Sequence, residues 1–403
     1  MVLNLNLKRV LGLILFLGVI ASSSAQITTG ELTGEINVIQ SAVPFLSIAP
    51  DSRAGAMGDV GAATSPDINS QHWNPAKYVF MEGQGGVALS YTPWLRRLIP
   101  DINLAYLVFY KKIDGLQSIS GSLRYFSLGN IVFTDVYGTA QGQFNPNEFA
   151  IDAGYSRLFT DNFSGAIVFR FIRSDLTGGK YVGDIDSKAG IAFAADLSFY
   201  YTDKIDLGSK DGTLSFGTNI ANMGNKISYT ETQEPSFIPI NWRLGGNLEV
   251  ELDDYNSFSF ALDLNKLLVP TPPILNDTTD EIMYGKDPNV SVPLGMFRSF
   301  FDAPGYELEN GKRSVFREEL SEITYSAGIE YWYRDQFAIR GGYFHENVNK
   351  GNRKYFSLGV GLRLNIFELD FAYLIPTYQN NPLANTLRFT LGFDFDKYRS
   401  NSR

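Results

Sequence analysis

The chain has 403 residues, 43 Asp and Glu against 34 Lys and Arg, a formal net charge of -9, and no cysteine. The acidic balance gives a nucleic-acid surface no electrostatic support. The missing cysteine excludes disulfides, thiol catalysis, thiolate metal sites and lipid attachment at Cys.

At the N-terminus, Lys8 and Arg9 precede an apolar run over 10–20, and small residues follow as far as Ala25. This order predicts an export signal over 1–25, with Gln26 as the new N-terminus. The run is too short for a membrane-spanning helix, which needs about 20 apolar residues.

Residues 26–83 do not alternate and are rich in Gly, Ala, Ser, Asp and Pro. They are expected to form a small polar plug. Ser65 to Ser70, "SPDINS", reads as a turn or helix cap, because Ser and Asp side chains satisfy exposed amides. Asn74 and Pro75 read as the cap and first residue of a helical turn. His72 has no second histidine nearby, and zinc would need three or four converging ligands. The motif His72, Trp73, Asn74, Pro75 is therefore read as structural, with no metal and no catalytic role.

From 84 to 403 one theme recurs: segments of about ten alternating residues, ended by turns. In the last of them Leu387, Phe389, Leu391 and Phe393 share one face, and Arg388, Thr390, Gly392 and Asp394 the other. A period of two is a strand. Fourteen such strands are expected, near 84–92, 102–112, 116–128, 147–159, 162–173, 187–202, 213–222, 240–252, 256–266, 321–333, 336–346, 354–365, 367–375 and 385–396. Connectors alternate between tight turns and longer links, and aromatics gather at strand ends (Tyr91, Trp94, Trp242, Tyr331 to Tyr333). The fold class expected is all-β: a 14-stranded antiparallel outer-membrane β-barrel, apolar outside, with the plug within. An open sheet in lipid would strand its edge amides, so the sheet must close. The segment 131–140 alternates as well, but as a wall strand it would break the even count, so it is assigned to a loop. Inward carboxylates (Asp152, Asp196, Asp263, Glu330, Asp370) and arginines (Arg124, Arg170, Arg243, Arg340, Arg363, Arg388) are expected to pair across the lumen and hold the plug.

The longest link, 267–320, carries Met296, Phe297, Phe300 and Phe301 in a segment expected to face water. Such a cluster is either a local core or a docking surface for a protein. "FREELSEI", 316–323, suits a short amphipathic helix. No nucleophile elbow or complete phosphate loop occurs in the chain.

The string "AGAMGDVGAA" followed by "NPA" resembles the FadL-type barrels, fourteen-stranded channels with an N-terminal plug. The fuller string "PFLSIAPDSRAGAMGDVGAATSPDINSQHWNPAKYVF" is more similar still to the PorV (LptO) family of type IX secretion barrels. That resemblance implies no enzyme and no cofactor. It implies an outer-membrane barrel embedded in lipid that binds the C-terminal signal domain of secreted cargo. It further implies docking to the type IX translocon barrel and delivery of cargo to a sortase-type attachment complex. The rival expectation is a FadL-type channel for fatty acids or other hydrophobic compounds.

Overall fold

The computed structural model describes residues 36–95, 99, 101–134, 137, 139–179, 186–232, 234–276, 278–308, 311–378, 383 and 386–395. The expected export signal lies outside the described residues. Fourteen antiparallel strands close into one barrel: β1 Gly85–Pro93, β2 Asn103–Lys112, β3 Gln117–Ser127, β4 Asn147–Thr160, β5 Phe163–Asp175, β6 Gly190–Asp206, β7 Asp211–Gly224, β8 Asn241–Asp253, β9 Asn256–Leu267, β10 Thr324–Tyr333, β11 Phe337–His345, β12 Lys354–Leu364, β13 Phe367–Pro376 and β14 Leu387–Asp394. β1 pairs with β14 from Gly86↔Asp394 to Tyr91↔Phe389, so no edge amides remain open in the wall. The strands lie within four residues of the sequence-based bounds. Residues Ile131–Thr134 and Ala140–Phe144 form a separate hairpin outside the wall, as the even count requires.

Polarity decides which side of the wall faces lipid. Outward Leu89, Phe169, Phe193, Phe260, Ile329 and Leu358 are exposed, whereas inward Ser122, Arg170, Asp263, Glu330 and Asp370 are buried. A water-soluble sandwich would do the reverse. Leu391 is exposed on the same outer face, and Phe389 beside it is half-buried.

The girdle expectation needs two corrections. Trp332 alternates inward and is buried, where the Arg340 and Arg363 guanidiniums stack on its ring. Trp94 packs against luminal clusters rather than facing outward. Both follow from strand phase: a Trp one residue out of step with the apolar set takes the inner face. Tyr91 and Tyr333 stay exposed at strand ends.

The barrel has a short-turn end, with links such as 254–255 and 334–336, and a long-link end, with 225–240, 268–323 and 346–353. The N-terminal segment runs between them. At the long-link end, the Asn37 amide donates to Asn349 O and the Ala42 amide to Phe237 O. At the other end, Ser156 and Ser164, beside the β4–β5 turn, donate to Pro75 O and Ala76 O. The chain therefore traverses the lumen before β1 begins at the short-turn end.

Replacing Ile329, which lies mid-wall between Phe260 and Gly341, with Arg should cost about 2–4 kcal/mol. Denaturant unfolding in lipid vesicles measures this, and an unchanged stability would mean that this face does not meet hydrocarbon.

Candidate functional site: luminal segment and long-link mouth

Residues 44–80 form short helical turns whose backbone polarity is met by the wall. Asp51 caps the turn Ser52–Ala56, accepting from the Ala54 amide at 2.9 Å, while its other oxygen accepts from Trp73 Nε1 at 2.6 Å. Asn74 caps the turn Pro75–Phe80, its side chain accepting from the Ala76 amide, as the sequence implied. Asp67 and Ser70 make the expected "SPDINS" turn, Ser70 Oγ donating to Asp67 Oδ1 at 3.0 Å.

Wall and segment are joined by charge. Arg53 lies between Asp67 (2.9 Å) and Glu330 (2.7 Å), and Glu330 is shared with Arg340, which also pairs with Asp370. Asp263 Oδ2 accepts from the Gly61 and Ala62 amides at 2.8 and 2.9 Å. Arg388 reaches Asp59 at 2.8 Å. Arg170 instead pairs along the wall with Asp152 and Asp196, and Arg363 with Glu368. Inward glycines make the space: a Cβ at Gly342 would meet the Met57 carbonyl carbon at 2.0 Å, and one at Gly217 would meet Ala62 O at 1.9 Å.

His72 and Trp73 are buried in this assembly. Arg124 Nη2 contacts His72 Nδ1 at 2.6 Å; Arg243 Nη2 lies 3.1 Å from Nε2, and Arg243 Nη1 donates to the His72 carbonyl at 2.7 Å. With a guanidinium facing each ring nitrogen, a protonated imidazole would add a third positive charge, so the neutral form is favoured. Above it, toward the long-link end, lies a cavity of about 600 Å³, walled by Ile39, Phe45, Ile102, Phe126 and Leu128 and floored by His72 and Arg243.

At the mouth, the link 268–323 folds on buried ion pairs that sequence reasoning did not find. Lys266 is phased toward the outer face of β9 but is covered by this link, pairing with Glu319 (2.9 Å) and Glu322 (2.7 Å). Lys350, from the 346–353 link, pairs with Glu318 (2.6 Å) and Glu322 (3.0 Å). The only signal in the sequence was the acidic spacing 318, 319, 322 on the expected helix, which forms as Val315–Ser321.

Met296, Phe297, Phe300 and Phe301 lie on and just after the helix Val292–Arg298. Met296 turns inward onto a luminal apolar cluster. Phe300 sets its edge on Trp242. Phe297 is 69% exposed and Phe301 packs edge-on against it. The four therefore split: Met296 belongs to the core, Phe300 is a bridge to the wall, and Phe297 and Phe301 form a surface pair. A further exposed apolar residue, Phe316, lies on the neighbouring helix.

A profile described as "Type IX secretion system protein PorV" matches residues 31–274. No curated protein matches the chain. Among solved structures, the toluene transporter TodX of Pseudomonas putida is 9% identical, with a TM-score of 0.44 over 87% of this chain and 99% of its own. The toluene transporter TbuX of Ralstonia pickettii is 10% identical, with a TM-score of 0.43 over 86% and 98%. A Pseudomonas aeruginosa FadL homologue is 11% identical, with a TM-score of 0.42 over 89% and 99%.

Two outcomes test this site. Glu330→Gln leaves Arg53 and Arg340 short of a buried carboxylate and should cost about 3–5 kcal/mol, read by denaturant unfolding together with faster tryptic cleavage at Arg53. The second concerns pH. Burial, and then the Glu319 charge, push Asp302 up to about 7. A carboxyl raised in the folded state contributes stability below its unfolded value of 3.8 and loses it as pH rises through 7. Hydrogen exchange over 299–305 should therefore quicken from pH 5 to 8 beyond the intrinsic rate change, and Asp302→Asn should abolish that excess.

Proposed function

The chain belongs to the PorV family of type IX secretion system proteins, and from this we propose that it acts without catalysis, as a docking and relay barrel. It is an outer-membrane β-barrel with a role in type IX secretion. In this reading the long-link end faces the outside of the cell, and residues 26–83 plug the lumen. The mouth receives the C-terminal signal domain of secreted cargo, docks to the translocon barrel, and passes cargo to a sortase-type attachment complex.

The observation that carries the reading is an apolar surface held on a rigid base. Phe297, Phe301 and Phe316 stay exposed although the link beneath them is tied by four buried ion pairs from Lys266 and Lys350. A loop that needed only to cover the barrel would turn these rings inward, and exposed aromatic clusters on an ordered frame mark binding surfaces. The proposed contact centres on Phe297 and Phe301, with Phe300 and Met296 fixing the helix to the wall. Deleting 290–305 should leave a barrel that inserts in the membrane but no longer co-purifies with the translocon or cargo; undiminished co-purification would reject this role.

The second reading, uptake of hydrophobic compounds, is favoured by the apolar walls of the cavity. It requires a path past the buried segment 51–81, and it predicts substrate-dependent growth defects with secretion intact.

A further inference from the structure

We propose that the His72–Arg124–Arg243 cluster on the cavity floor is an oxyanion-binding site, which takes a carboxylate or phosphate group. The N–H donors around His72 outnumber the acceptors. Both ring nitrogens of His72 face guanidinium nitrogens, at 2.6 Å for Nδ1 and 3.1 Å for Nε2. A guanidinium carries donors only, and a neutral imidazole has one lone pair and one N–H. The shorter contact takes the lone pair, with Arg124 donating to Nδ1. Nε2 then bears the proton and directs it toward an N–H of Arg243. Two donors stand 3.1 Å apart with no acceptor between them. Protonating the ring would only add a third positive charge to the group. An oxygen anion accepting from both Nε2–H and Arg243 Nη2 removes the conflict.

Charge points the same way. Arg53, Arg170, Arg340 and Arg388 each have a carboxylate at 3.0 Å or closer. Among the described residues, none lies within ion-pair distance of Arg124 or Arg243. Asp263, on the strand next to Arg243, gives Oδ2 to the Gly61 and Ala62 amides, and its Oδ1 is buried without a hydrogen bond and beyond ion-pair distance of Arg243. Two guanidiniums removed from water without a contacting carboxylate are costly, and an entering anion offsets part of that cost. The fork is also fixed in place: Arg124 is held by the Phe45 and Leu46 carbonyls, and Arg243 by the His72 carbonyl and the face of Trp73, 4.8 Å from its centre. His72 and Arg243 line the cavity, so the donors are reached from the long-link mouth. The oxyanion is either free or the head of an amphiphile whose tail lies along Phe45, Phe126 and Leu128.

The test uses the intact protein in a neutral maltoside detergent, read by the fluorescence of Trp73 and Trp94, which both line the cavity. The titrants are decanoate, decanol and inorganic phosphate. The expected result is saturable binding of decanoate, roughly tenfold or more tighter than decanol. Competition by phosphate assigns the site to a free oxyanion, and its absence assigns it to an amphiphile head. Arg243→Gln, shown to be folded by its heat-dependent electrophoretic shift, should weaken the anion about tenfold or more and leave decanol unchanged. Equal binding of decanol and decanoate with no response to phosphate would overturn the proposal, as would no saturable response to any anion. If Arg243→Gln does not fold, the comparison of titrants on the native protein decides alone.

Discussion

Closure in lipid is the constraint from which the rest of this molecule follows. Hydrocarbon offers no partner to a backbone amide, so the sheet must pair its last strand with its first. The same solvent draws every large apolar side chain to the outer face, and the polar half of each strand is left to face the lumen. That lumen is partly dry. Its charges therefore have to be satisfied by the protein itself, because a buried charge without a partner costs several kcal/mol.

The N-terminal segment meets this demand. Its amides and one arginine supply partners to Asp263, Glu330, Ser357 and Thr390, which the wall alone would leave exposed to the lumen. Inward glycines at 217, 328 and 342 let its backbone approach closely enough to do so. The upper lumen is less filled, because the segment has no helical turn before Pro44. The cavity, with Arg243 at its floor, lies at that boundary between filled and open lumen.

The strand count, the phase of each strand and the side of each charge were legible in the sequence, because a period of two survives every local irregularity except a bulge. One such bulge lies between Ala195 and Leu197 on β6, opposite Asn222 at φ 63° on β7, and no pattern marked it. Pairing partners were less legible. The inward arginines were expected to meet inward acids, which holds for Arg170, Arg340 and Arg363, whereas Arg388 meets Asp59 of the N-terminal segment. Arg124 and Arg243 meet His72 instead, because register and side-chain reach across the lumen are properties of the closed cylinder. Lys266 misled in another way. Its phase places it toward lipid, and only a link more than fifty residues long, folding back over the wall, gives it Glu319 and Glu322. The apolar run at 296–301 was visible as a cluster, but its division between core and surface depends on one helical turn and where that turn docks.

The order in which these contacts form is itself constrained. Ser52 and Asp59 belong to the first part of the described chain, yet their partners Thr390 and Arg388 lie on β14, the strand that closes the barrel against β1. Contacts across more than three hundred residues cannot form until the last strand has arrived. Before then Arg388 has no Asp59 and the Ser52 amide has no acceptor, so neither the segment nor the final strand is satisfied alone. Closure of the wall thus completes the seating of a segment that β4, β5, β9 and β10 also hold. An assembling chain held open at the β1–β14 seam would carry an N-terminal segment without its Ser52 and Asp59 contacts.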